Sequence, residues 1–341
     1  AAFTSSFILA SFLLAISTLQ LLSPAGASSS AFLSSLDTED LPPPDGIIIA
    51  ESDLQALMAV KSALIDPLSV LQSWNSSSYG GACGGSWVGV KCAKGQVIAL
   101  QLANKALGGS LSPQIGQLFA LRKLNLHSNS IQGAIPSSLS MLPNLRGLYL
   151  NRNQFSGSIP PALATSPFLQ RIDLSHNSLS GLIPAFVVSA NSTSTSVSAQ
   201  SSSSSSSGSK LYFIDLSYNN FSSSLSASSF AFLPSLLELR ISHSSLQGSV
   251  PSALTNLFPS LSILDLSHNE LNGSLPQLPV SNLTFLDLSF NALTGSISAD
   301  LISNLTFLNA LNVSNNGLSS TIPAAIGNLT SLQALDLSVN S

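Results

Sequence analysis

The stretch Leu121-Arg-Lys-Leu-Asn-Leu-His-Ser-Asn129-Ser-Ile-Gln-Gly133-Ala-Ile-Pro136 decides the architecture. Its leucine spacing recurs along the chain, with coils starting at Val97, Leu121, Leu145, Leu169, Leu211, Leu236, Leu261, Leu283, Leu308 and Leu332. Most steps are 24 or 25 residues, and a period of that size marks a solenoid. The apolar residues at the first, fourth, sixth and eleventh positions of a coil bury themselves only by stacking on the same positions of the next. Asn holds the ninth position in eight of ten coils, where a sharp turn needs a side-chain partner for buried amides; Lys105 and Ser244 are the exceptions. Segments such as Leu148-Tyr-Leu150 alternate apolar and polar residues, as strands with one buried face do, and their parallel stacking predicts a concave sheet. The Gly133-to-Pro136 step forbids a long helix on the convex side.

Only 8% of the 341 residues are charged, yet the leucines are spaced among Ser and Asn, which excludes a membrane bundle. The exception is the uncharged apolar run Phe7 to Leu22, which leads into Ala25-Gly-Ala27, a site of the kind signal peptidase cuts. It reads as a signal peptide over residues 1–27, a retained anchor being the alternative given its length. A basic leader and an initiating Met are missing ahead of it, so the chain reads as clipped at its start. Residues 28–50, Ser-rich and then acidic with Pro42-Pro-Pro44, read as an exposed linker. Export places the protein in the secretory pathway, with a destination at the cell surface or in the cell wall. Cys83 and Cys92, the only cysteines, can close as a disulfide in that oxidising compartment; two free core thiols are the alternative. Sequons at Asn75, Asn191, Asn220, Asn272, Asn282, Asn304, Asn312 and Asn328 are candidate glycosylation sites.

Residues 51–96 read as a cap. Ser52 and Gln55 predict a capping box for a helix with Leu54, Leu57, Met58, Val60 and Leu64 on its apolar face, ending near Pro67. Laid over the first coil, it would shield leucines that no repeat covers. The coils of 97–341 carry a Ser-dominated insertion at 187–210, read as a disordered surface loop rather than a binding island because it lacks apolar residues. The last coil stops after Leu335-Asp-Leu337, so Leu332, Leu335 and Leu337 are expected to frame an open edge, and the chain reads as a fragment.

The run Leu54-Gln-Ala-Leu57 through Trp74-Asn75, then Trp87-Val-Gly-Val-Lys-Cys92 and the Gly-x-Ile-Pro repeats, resembles the extracellular region of plant leucine-rich repeat receptor-like kinases. The cap, from Asp45-Gly46 and through Cys92-Ala-Lys-Gly-Gln-Val-Ile98, is similar to the inflorescence meristem group of that family. Two departures are the eight residues between the cysteines and the insertion in coil four. The fold expected is an α/β repeat, a plant-type leucine-rich repeat solenoid with a parallel concave sheet and a helical, disulfide-closed cap. The resemblance implies a ligand-sensing ectodomain that binds a peptide or protein and pairs with a co-receptor kinase, anchored through a membrane segment absent from this stretch. A secreted leucine-rich repeat protein, such as an inhibitor of cell-wall-degrading enzymes, is the alternative.

Charge divides the repeats. Eight bases and no acid lie between Asp66 and Asp173, and eight acids with two bases follow from Asp173 onward. Nucleic acid does not suit such an exported acidic chain. Asp173, Asp215, Asp265, Asp287 and Asp336 share the fifth position and form an outward column whose members should repel, with Arg240 interposed to relieve them or, as the alternative, to contact a ligand. Ligand candidates are outward residues that vary in chemistry: Lys123, Asn125, His127, Tyr149, Asn151, Arg152, Arg171, His176, Tyr218 and His243. This mix of aromatic and basic groups on coils two to six suits a peptide carrying an acidic or carboxylate group, while a glycan on Asn312 would obstruct coil nine. His243 and His268 fall on adjacent coils about 5 Å apart and read first as solvated surface, a pair whose protonation alters binding at about pH 5 to 7 being the alternative. No further ligand joins them for a metal site, no cofactor is implied, and no phosphate loop, kinase triplet or nucleophile elbow marks a catalyst.

Overall fold

The computed structural model describes residues 48–75, 81–186, 210–222, 224, 232–252, 254–278 and 282–341. The signal-peptide expectation, almost all of the linker and insertion residues 187–209 lie outside them. Among the described residues, an eleven-stranded sheet runs the length of the repeats. Val90–Ala93 opens it antiparallel to Gln96–Gln101, and every later pairing is parallel. One short strand per coil follows, from Lys123–Asn125 to Ala334–Asp336, in the register that the leucine spacing dictates. Leu121, Leu124, Leu126 and Ile131 have no exposed surface, as their stacking requires.

The ninth-position asparagines tie coil to coil. Asn153 Oδ1 accepts from Ile131 N–H at 3.0 Å, and its Nδ2 donates to the carbonyls of Leu126 and Leu150 at 2.9 and 3.0 Å. Asn177, Asn219, Asn269, Asn291, Asn316 and Asn340 repeat this bridge. At Ser244 the hydroxyl still donates to Leu216 and Ser242, so the exception keeps half the bridge.

Past the Asn turn the chain forms a second set of short strands, in two four-stranded parallel sheets. Glycine enters them at a fixed place: Gly157 has φ +76° with open space around it, so conformation alone requires glycine there. Among the described residues the convex side of the coils carries short helical turns, such as Ser137–Met141 and Pro161–Ala164.

The cap helix α1, Glu51–Ala63, buries Leu54, Leu57 and Val60, but the predicted capping box does not form. Ala50 is its N-cap, Gln55 bonds Glu51, and Ser52 bonds the neighbouring Asp53. Asp53, 3% exposed, instead accepts from Val97 N–H at 2.7 Å, anchoring the cap to coil one. The helix stops at Ala63 because Leu64–Ile65 pairs with Gly108–Gly109. Trp74 and Trp87 stack at 5.5 Å, and Cys83 and Cys92 are joined as a disulfide. At the other end Leu335 is 41% exposed where Leu124 has no exposed surface.

Candidate ligand-binding face

Three rows of side chains run along the concave sheet. The first combines the third and fifth positions of coils two to five. Gly147 lies in register between Lys123 and Arg171, and its missing side chain makes room for the ring of Tyr149: an added Cβ would meet Tyr149 Cε2 at 2.8 Å. Lys123 Nζ lies 5.0 Å from the centre of that ring and the Arg171 guanidinium 5.4 Å, while Arg171 also covers Phe213 at 3.8 Å. Cation, ring, cation and ring thus alternate across four coils. Asn125 is half-buried beside Tyr149 in register, and Asn151 turns Oδ1 into the surface without a hydrogen-bond partner in the protein.

The second row is the carboxylate column. Its register is Asp173, Asp215, Arg240, Asp265, Asp287, Asn312 and Asp336. These groups are less outward than the sequence implies. Each Oδ1 accepts from the residue two further on, as Asp287 does from Ser289 N–H at 2.9 Å and Ser289 Oγ at 2.6 Å. Burial pushes the carboxyls of Asp173 and Asp215 up, and the charge of Asp173 adds to the rise at Asp215. Asp287 is pushed up to about 6, by burial first and by Asp265 second. Arg240 lowers Asp215 and Asp173 through its charge, but its ion pair is with Glu238 on its own strand, at 3.3 Å. Asn312 departs from expectation: it is 7% exposed, its Nδ2 donates to Asp287 and its Oδ1 accepts from Ser314. A glycan would replace one of the two Nδ2 hydrogens and would need room that this 7% exposed side chain has only when turned outward.

The third row is a ladder of rings. His176, Tyr218, His243, His268 and Phe290 stack face to face with centroids 4.1, 4.2, 3.9 and 4.0 Å apart. All five are eighth-position residues with φ between +50° and +56°, which aims their side chains alike. Each left-handed residue costs roughly 1–2 kcal/mol, and each ring pair returns about 0.5–1.5 kcal/mol, so stacking offsets part of the strain. Loss of water around the rings lowers all three histidines, most directly opposed by Asp215 at His176 and by Asp265 at His243 and His268. His243 and His268 are closer than expected, yet nearly parallel rings aim their in-plane lone pairs alongside one another rather than at one metal.

Of the candidates, Lys123, Asn125, Tyr149 and Arg171 fall on the cation–ring row, Asn151 lies beside it at position seven, and His176, Tyr218 and His243 are on the ladder. Arg152 precedes the ladder at position eight; burial first and its charge second lower His176 and His127. His127 stands apart, bonded to Ser128 at 3.0 Å. Gly147 and the continuous ladder were not singled out from sequence. The signal available for the ladder was five consecutive rings at position eight.

Known families match most of this architecture. The leucine rich repeat N-terminal domain matches residues 50–93, and leucine rich repeats match 119–179, 209–271, 282–305 and 307–329. A probable leucine-rich repeat receptor-like protein kinase of Arabidopsis thaliana, IMK3, is 58% identical over 85 residues, 25% of this chain and 11% of that protein. The chain therefore spans only about a tenth of that relative's length over the match. The Arabidopsis receptor kinase HAESA, solved with the peptide hormone IDA and the co-receptor SERK1, aligns with TM-score 0.56 and 28% identity, covering 85% of this chain and 54% of that one. A plant peptide hormone receptor, RGFR1 in complex with RGF2, aligns with TM-score 0.51 and 30% identity, covering 69% of this chain and 38% of that one. The chain belongs to the leucine-rich repeat family, with a cap and coils similar to those of the extracellular region of plant receptor-like kinases.

Proposed function

We propose that this chain is the ligand-sensing extracellular part of a plant membrane receptor-like protein or kinase, displayed at the cell surface. It binds a peptide or protein on the concave face of coils two to six and signals by pairing with a co-receptor. The observation that carries this reading is the cation–ring row of Lys123, Tyr149, Arg171 and Phe213 beside the ring ladder, a surface with both apolar area and directed charge. The peptide and co-receptor held by HAESA support it by family analogy.

A displayed random-peptide library selected on the full chain tests the binding face. Protection from hydrogen exchange by the selected peptide is expected on the strands Lys123–Asn125 through Glu238–Arg240. Protection confined to the convex turns refutes the assignment. Sequencing the transcript beyond Ser341 tests the receptor itself: an apolar span of roughly 20 residues is expected, and a stop codon after a closing coil overturns membrane signalling.

A further inference from the structure

We propose that the ring ladder is a proton-responsive clasp: it is closed while His243 and His268 are neutral, and it parts between coils six and seven when both take up a proton. The device needs no ligand, so it goes beyond the reading of the concave face as a receptor surface. Four ring contacts make the ladder, and only one of them joins two groups that can each become a cation. A proton on His176 lies against the face of Tyr218, and one on His268 has the face of Phe290 at 4.0 Å, so a single charge is stabilised by a neighbouring ring. A second proton on the pair sets two cations 3.9 Å apart, where they repel at any effective dielectric a protein surface offers. That contact is also the most tilted, at 19° against 9°, 10° and 11° for the others.

The inner side of His243 adds to the resistance. Its Nδ1 is buried with no hydrogen-bond partner; a protonated ring carries N–H on both nitrogens, so Nδ1 becomes a charged donor without an acceptor. Parting the rings acts on the backbone, because His243 and His268 have left-handed φ of +50° and +52°, which the stack helps to hold. Their amides donate to the carbonyls of Ser267 and Ser289 at 3.1 and 2.9 Å, so a relaxing backbone loosens the bonds between coils six, seven and eight. Charges reach the ladder from each coil packed against it. Loss of water is the largest cost of a proton at all three histidines; Arg152 on coil three adds to it at His176, and His268 and then His176 add to it at His243. Asp215 on coil five favours a proton on His176, and Asp265 on coil seven favours one on either member of the pair. The other charged groups are engaged elsewhere: Arg171 covers Phe213, Asp173 is bonded to Ser175, Glu238 pairs with Arg240, Glu270 accepts from Gln247, and Asp287 is held by Ser289 and Asn312. One carboxylate, Asp265, thus serves two histidines, enough for one proton and not for two.

The test is hydrogen exchange of the full chain from about pH 7.5 to about pH 4.5, read as protection factors so that the intrinsic rate is divided out, together with a magnetic-resonance titration of the histidine rings. Protection of the His243 and His268 amides should fall about tenfold or more across that range, while the strand Gly147–Tyr149 in coil three keeps its protection. His268→Phe keeps a ring in the stack, as Phe290 does one coil on, and removes the second cation. In that variant His243 should titrate at higher pH than in the natural chain, and protection at coils six and seven should change less than about twofold. Protection that holds throughout in the natural chain overturns the clasp, as does a His243 titration that His268→Phe leaves unmoved. Loss that persists in His268→Phe belongs to the carboxylates, and loss shared equally by Gly147–Tyr149 is global acid unfolding; either result overturns it as well. The natural chain alone decides the first and last of these outcomes, so the test stands if His268→Phe fails to fold. No ligand enters the experiment, so its failure leaves the receptor reading standing.

Discussion

Replacing Asp287 with asparagine tests whether the buried column stores protons. Asp287 is 9% exposed, paired in register with Asp265 and Asn312, and its carboxyl is pushed up to about 6 from 3.8. A carboxyl whose folded pKa exceeds its unfolded value binds its proton more tightly in the native state. Its contribution is therefore most favourable at low pH and is lost as pH rises from about 4 to about 6. That shift corresponds to roughly 3 kcal/mol by neutral pH. Asparagine removes the charge and keeps the acceptor for Ser289, as Asn312 does for Ser314. It gives up the acceptor for Asn312 Nδ2, which costs about 1 kcal/mol. Asp287→Asn should thus be more stable than the natural chain by about 1–2 kcal/mol at neutral pH, and equal or weaker by up to about 1 kcal/mol near pH 4. The assay is urea unfolding followed by circular dichroism across that range. His243 and His268 act in the opposite sense, since their lowered pKa values cost stability as pH falls below 6.5, but they are common to both proteins and cancel in the difference. A difference that stays flat with pH would show that Asp287 is ionised throughout, and the account of the column would be wrong.

Three further outcomes are expected. Asn177→Ala leaves the Phe155 amide and the carbonyls of Leu150 and Leu174 without their bridge, a loss of about 2–4 kcal/mol by urea unfolding, with Asn177→Ser milder as at Ser244. His243→Ala removes two ring contacts from the ladder and should cost about 1–2 kcal/mol, whereas His243→Phe keeps them; if both melt alike, the stack contributes nothing. Replacing Cys83 and Cys92 with serine should cost about 2–3 kcal/mol, read as faster hydrogen exchange in Glu51–Ala63; unchanged exchange there would separate the disulfide from the cap's stability.

Leucine spacing carried the register because burial is periodic: the positions that repeat are those that stack, and each coil start read from the chain heads a coil whose fourth-position residue lies mid-strand in the sheet. The ninth-position Asn was legible for the same reason, since one residue type solves one local hydrogen-bonding need in every coil. The cap was harder. Ser52 and Gln55 have the spacing of a capping box, but the bond that matters joins Asp53 to Val97, 44 residues away. The second strand set was missed because Gly-x-Ile-Pro reads as a helix breaker, while its positive-φ glycines let the chain pair with the next coil.

The sequence by itself determined the solenoid, its period and the concave strands, because each follows from a pattern repeated every coil, and the division of charge, which is a count along the chain. Tertiary structure alone decided what lies between coils. A left-handed backbone at position eight brings rings 22 to 42 residues apart into one ladder. Gly147 lets Tyr149 lie between Lys123 and Arg171, and burial turns a row of carboxylates into groups that hold protons near pH 6 at Asp287. Those are properties of neighbours in space, and their energies depend on distances and lost water that only the stacked coils define.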